Sequence, residues 1–167
     1  MAATRNAGTA AAERLRVMRE RAAGPAPKAA VQALGQAGET ITKVTLSRQT
    51  HSAGTPTPSQ PGQPPALVSG TLRRAVHRTP AVRSGPASYS QVLGCRVIYG
   101  AVQEYGATIR VRNARVLANA DTGQVFGTQV TLPARPWMKP SMRQLEASGL
   151  GRAACARAFY AVLITGL

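Results

Sequence analysis

The pattern of apolar and polar positions changes character several times along the chain. Between residues 9 and 22, Ala11, Ala12, Leu15, Met18 and Ala22 recur at helical spacing while Arg14, Arg16, Arg19 and Arg21 mostly fall elsewhere. That predicts a short basic amphipathic helix. Gly24-Pro25-Ala26-Pro27 predicts its end, because proline donates no backbone hydrogen bond and disfavours helix in the residue before it. From about residue 28 to 46 a second helix is expected, with Val31, Leu34, Gly38, Ile41 and Thr45 on one stripe and Gly35 as a weak point. Residues 50–66 then carry five prolines and no apolar period. Such a segment buries too little surface to offset its ordering entropy, so it reads as a solvated loop or as a segment laid over a neighbouring subunit.

Residues 67–76 read as a turn of helix entering a strand, and 76–83 and 88–98 as two strands joined at Ser84-Gly85-Pro86. Glycine followed by proline is a turn signal, so a hairpin is predicted. Residues 99–106 fit a short helix closed by Gly106. Two extended runs follow, 108–119 and 124–132, joined through Asp121-Thr122-Gly123 as in a tight hairpin. Phe126, Val130 and Leu132 share a face of the second run. On the first, Ile109 and Val111 are in one phase and Ala114, Val116 and Ala118 in the other, and this slip near Asn113 predicts a β-bulge. At about 3.3 Å per residue the first run spans roughly 40 Å, so an arm leaving the globular body is expected. Pro133-Ala134-Arg135-Pro136 breaks the sheet, and residues 137–164 return to helical spacing, interrupted at Gly149 and Gly151. The expected fold is α+β: a small antiparallel sheet with an extended hairpin arm, packed against long helices before and after it. A basic N-terminal helix (1–24) precedes a single domain (28–167) that includes the loop 50–66 and the arm 108–132.

Length and composition narrow the function. A chain of 167 residues, 44% apolar, suits one domain with extensions. The longest apolar run, around Phe159, Val162, Leu163 and Ile164, is too short for a membrane span. The first residues are Arg-rich but contain Glu13 and Glu20 and no apolar core, and so read as mature sequence, not a leader. Cys95 and Cys155 stand far apart without a Cys-x-x-Cys pair, which favours two separate thiols over a disulfide framework or a zinc site. His51 and His77 have no recognisable nucleophile or carboxylate partner, the six acids are scattered, and no glycine-rich phosphate loop occurs. The sequence therefore predicts no catalytic site, metal or cofactor, and a protein that is not an enzyme.

Charge is the strongest chemical signal. Eighteen Arg and three Lys against six acids give a formal +15, which attracts polyanions. GC-rich coding would account for part of the arginine. Arg110, Arg112 and Arg115 lie on the arm, while Arg73 and Arg74, with Arg78 and Arg83, lie near the start of the sheet. These faces suit plain solvation, contact with DNA phosphates, or pairing with acidic partner proteins. No base-reading motif is present.

Three stretches in this order, PGQPPALVSGTLRRAV (61–76), YGAVQEYG (99–106) and PARPWMKPSM (133–142), resemble the neck or tail-completion proteins of long-tailed bacteriophages. Ser69-Gly70-Thr71-Leu72-Arg73 stands where that family has Thr-Gly-x-Leu-Arg, Glu104-Tyr105-Gly106 where it has Glu-Phe-Gly, and Arg135-Pro136-Trp137 where it has Arg-Pro-Phe. Ser69 and Tyr105 are mild departures, and the resemblance runs over about residues 28–167. It implies a small α+β virion subunit forming a ring, about six-fold, at the head–tail junction. Implied partners are further copies of the chain, a head connector or stopper protein, a tail-tube or tail-terminator protein, and genomic DNA in the lumen. Its place would be the virion neck, after assembly in the host cytoplasm. Arg73, Arg74, Arg110, Arg112, Arg115, Phe126 and Arg135 are the candidate interface residues. Gly70, Leu72, Glu104, Tyr105, Gly106, Pro136 and Trp137 form the structural motif, with Leu72 anchoring a turn, Gly106 reversing the chain and Trp137 wedged into the core beside Pro136. The basic helix 1–24 lies outside the shared pattern and reads as a docking peptide. The alternative reading is a basic nucleic-acid-binding protein, ribosome- or nucleoid-associated, acting without a ring.

Overall fold

The computed structural model describes residues 2–52, 59–112, 115–118 and 123–166. The chain is α+β, with helices flanking small antiparallel two-stranded ribbons. The helices are α1 (Ala2–Ala23), α2 (Pro25–Thr45), α3 (Thr71–Ala75), α4 (Tyr99–Tyr105), α5 (Met138–Ala147) and α6 (Leu150–Ile164). The strands are β1 (Val76–Arg78), β2 (Val82–Arg83), β3 (Tyr89–Ser90), β4 (Leu93–Cys95), β5 (Ala107–Arg110), β6 (Leu117–Ala118), β7 (Val125–Gly127) and β8 (Gln129–Leu132). Contacts group the chain into two compact units: Met1–Gly38, Arg78–Leu93 and Leu145–Leu167 form the first, Glu39–His77 and Gly94–Gln144 the second.

In the first unit, α1 and α2 nearly meet. α1 ends at Ala23, as the Gly24–Pro27 stretch predicts, but α2 begins at Pro25 and not near residue 28, because proline takes an opening helical position where a missing N–H costs nothing. Gly24 alone separates the helices, its carbonyl accepting the Lys28 N–H at 3.2 Å. α1 packs along α6, and the Arg21 guanidinium donates to the last carbonyls of that helix, Val162 O at 3.5 Å and Leu163 O at 3.3 Å, with Thr165 O beyond them. This arginine satisfies acceptors that a helix C-terminus leaves orphaned. The apolar stripe of α1 stays open, with Ala11, Ala12 and Leu15 all exposed. Gly151, buried in α6, allows a close approach, since a methyl group there would stand 2.9 Å from Leu34 Cδ1. Gly149, at φ 69°, makes the break between α5 and α6.

The expected hairpin around residues 84–86 is present. β2 pairs antiparallel with β3 in the register Val82↔Ser90, and the Ser84 N–H closes the turn onto Ser88 O at 2.9 Å. Its strands are shorter than expected, because Pro80 interrupts the first and the second ends at Cys95 instead of running to residue 98. Between the short pieces the Thr79 N–H donates to Val92 O at 2.8 Å, and the Val92 N–H returns to Thr79 Oγ1 at 3.0 Å.

In the second unit β5 and β8 run antiparallel with Ala107 opposite Leu132, and the Val111 N–H extends the ladder to Thr128 O at 3.0 Å. β6 pairs with β7, with a register shift between Leu117 and Ala118. The arm is therefore two ribbons in series, divided on its second run by Gly127, at φ 78°, and not one long ladder. Asn113, where the phase slip predicts a bulge, and Asp121-Thr122 of the turn lie outside the described residues. The core of this unit is small: Ile41, Leu46, Val76 and Trp137, with Thr42, Thr45 and Ser141 buried beside them.

Candidate functional site

The site is a junction built from the stretches 61–76, 99–106 and 133–142. α4 ends at Gly106, whose N–H returns to Val102 O at 2.8 Å. Its φ of 73° and ψ of 165° lie in a region that only glycine occupies readily. A methyl group there would stand 2.9 Å from both Ala134 N and Leu132 O, so glycine is needed for space as well as for conformation.

That close approach brings the 133–142 stretch against α4. The Arg135 N–H donates to Gln103 O at 2.7 Å, and Trp137 Nε1 donates to Gly100 O at 3.2 Å. The Glu104 carboxylate, on a buried residue, then accepts three successive backbone N–H groups: Trp137 and Met138 on Oε2 at 2.7 and 2.8 Å, and Lys139 on Oε1 at 2.9 Å. These are the orphan donors of α5, so an acid from a distant helix does the work of a local N-cap. Ser141 Oγ donates back to Trp137 O at 2.6 Å.

The third stretch joins the same junction. The Gly62 N–H donates to Ala134 O at 2.9 Å, and Arg135 Nε donates to Ser59 O at 2.7 Å. The C-terminal end of the proline-rich segment is thus tied down. Gly70, at φ 73°, precedes α3, and Leu72 Cδ1 lies 3.6 Å from where a side chain on Gly100 would begin.

The structure brings Glu104, Gly106, Pro136, Trp137, Arg135 and Leu72 into one place and leaves other candidates apart. Tyr105 is not part of the core: it is 79% exposed, and Ile98 beside α4 is 93% exposed. Arg110 and Arg112 are exposed on the arm with Phe126, and Arg115 is exposed where the description resumes. Arg135 is half-buried, its Nε donating to Ser59 O. Arg73 donates to Ser47 Oγ at 3.1 Å and Arg74 to Ser69 O at 2.9 Å.

The thiols of Cys95 and Cys155 are free and half-buried. Cys155 Sγ donates to Ala30 O at 3.4 Å, and burial pushes its pKa up. Among the described residues no three His, Cys, Asp or Glu gather as a metal site would require, and no helix is long and apolar enough to cross a membrane. His77 Nδ1 faces Ala75 O at 3.2 Å, which fixes it locally.

Compared with family models, curated proteins and solved structures, the chain matches none. Local sequence signals missed two features: the capping by Glu104, whose partners lie 33 to 35 positions away, and the basic residues Lys43 and Arg48 near Arg73. The latter had a visible sign, since Lys43 falls on the side of α2 opposite its apolar stripe.

Proposed function

We propose that the chain is a structural virion subunit, one that forms a ring at the neck of a tailed phage and joins head to tail. The observation carrying this reading is the junction itself. The stretches 61–76, 99–106 and 133–142 resemble one family in order and spacing, and they are hydrogen-bonded to one another through Gly62, Gln103, Glu104 and Trp137. A scattered chance likeness gives no reason for its pieces to meet.

Surface chemistry supports the assembly part of the reading. Ile98 and Tyr105 stand exposed beside the junction, and Ile109, Val116, Val125 and Phe126 are exposed along the arm. Solvent-facing apolar groups on a two-stranded ribbon, marginal by itself in water, are suited to burial by a neighbouring subunit. A formal +15 on every subunit makes a ring of such chains self-repelling, so acidic neighbours are part of the proposal.

The test is native mass measurement of the full chain, alone and with duplex DNA. A closed ring independent of DNA is expected. A monomer at all concentrations that binds duplex DNA with steep salt dependence would overturn the ring in favour of a nucleic-acid-binding protein.

A further inference from the structure

On the second unit, the polar side of α2 and the start of α3 enclose an open hollow of about 610 Å³. Its walls carry Lys43, Arg48, Arg73 and Arg74, with Val44 and Ser47 between them. Lys43 and Val44 lie in the last turn of α2, and the turn that follows brings Ser47 back against them, its N–H donating to Val44 O at 3.0 Å.

The cations are positioned but not neutralised. Arg73 is steadied by Ser47 Oγ at 3.1 Å, Arg48 by Gln144 Oε1 at 3.1 Å, and Arg74 by Ser69 O at 2.9 Å. All three acceptors are uncharged, and each guanidinium has further donors to offer. Among the described residues only Lys43 of the four meets an acid, Glu39 Oε1 at 2.5 Å. Three fixed guanidinium charges with no carboxylate partner among the described residues form a receptor for oxyanions, which arginine binds bidentately.

A second copy of the chain is a poor source of such groups. Among the described acids, Glu13 and Glu20 pair with Arg16, Glu39 with Lys43, and Glu104 is committed to α5, leaving Glu146. Nucleic acid fits less well than protein. The hollow is concave, holds no aromatic side chain for a base to stack on, and presents Val44, 52% exposed, with the aliphatic stems of its cations. A phosphodiester backbone would meet the charges and leave that apolar surface uncovered.

We infer that the hollow receives an acidic segment of a different protein, with carboxylates on Arg48, Arg73 and Arg74 and an apolar side chain against Val44. This rests on the joining-subunit reading only for the origin of the segment; the receptor is testable on the chain alone. The experiment is fluorescence anisotropy of the full chain with two labelled probes, a short alternating Glu/Leu peptide and a short duplex DNA. The peptide is expected to bind, and R48Q/R73Q to weaken it about tenfold, while R152Q/R157Q, at exposed residues of α6, leaves it unchanged. Replacing Leu by Asn in the peptide is expected to weaken it further. If the double variant does not fold, R48Q, at an exposed residue, carries the same test. Peptide affinity equal in wild type and R48Q, or a loss on R48Q/R73Q seen with duplex DNA and not with the peptide, overturns the inference.

Discussion

The carboxylate of Glu104 accepts the backbone N–H of Trp137 at 2.7 Å, although 33 positions separate the two residues. This contact holds the end of α4 against the start of α5, and it sets the direction in which α5 leaves the ribbon β5–β8. Three N–H groups depend on one buried acid. Glu104→Ala is therefore expected to cost about 3 kcal/mol, from buried donors left without an acceptor. At about 3 °C per kcal/mol for a chain of this size, melting should fall by roughly 9 °C. Glu104→Gln keeps one acceptor oxygen and should lose less. Equal melting of the alanine variant and wild type would contradict the capping role.

Two glycines with positive φ should respond differently to the same substitution. At Gly106 a methyl group meets Ala134 N and Leu132 O at 2.9 Å, and backbone atoms cannot move aside as a side-chain end would. At Gly149 nothing lies within 4 Å, so only the left-handed conformation is penalised. Gly149→Ala should cost about 1–2 kcal/mol and Gly106→Ala more than about 3 kcal/mol. Chemical denaturation of both variants checks the order, and a reversed order would contradict the close approach.

The arm carries exposed Ile109, Val125 and Phe126 without a covering element of its own. Deleting residues 113–128 should leave a folded monomer that does not assemble. Circular dichroism and native mass measurement read the two halves separately. Normal rings from the deletion would refute an interface role for the arm.

Burial raises the Cys155 pKa, so the thiol is held in its neutral form. A folded pKa above the unfolded one means that this contribution to stability is complete below the unfolded pKa. It is lost as pH climbs through the folded value. Alkylation of Cys155 should accordingly be slow at neutral pH, with a midpoint above that of an ordinary thiol. Rapid modification at neutral pH would contradict the partial burial of the thiol.

How much of this was legible from sequence depends on how local its cause is. The α4 segment with Gly106 as its cap, the hairpin at Ser84-Gly85-Pro86 and the burial of Trp137 follow from nearby residue types, and the structure has them. Gly24–Pro27 marks the end of α1 as its residue types indicate, but proline also opens helices, so α2 starts at Pro25, with Ala26 fully buried, and not near residue 28. The arm's apolar alternation suggests one long strand, whereas the conformation at Gly127 divides it. Glu104 has no local sign of its role, since its partners are supplied by chain reversal at Gly106. The Arg73 cluster was legible as charge, but its completion by Lys43 and Arg48 required knowing which side of α2 faces it.

The central claim, a joining subunit in the neck of a tailed particle, is tested most directly by locating the chain. Electron microscopy of assembled particles carrying a tagged copy should place the tag at the head–tail junction, once per subunit around a ring. A tag found on cellular DNA or ribosomes and absent from particles would contradict the account.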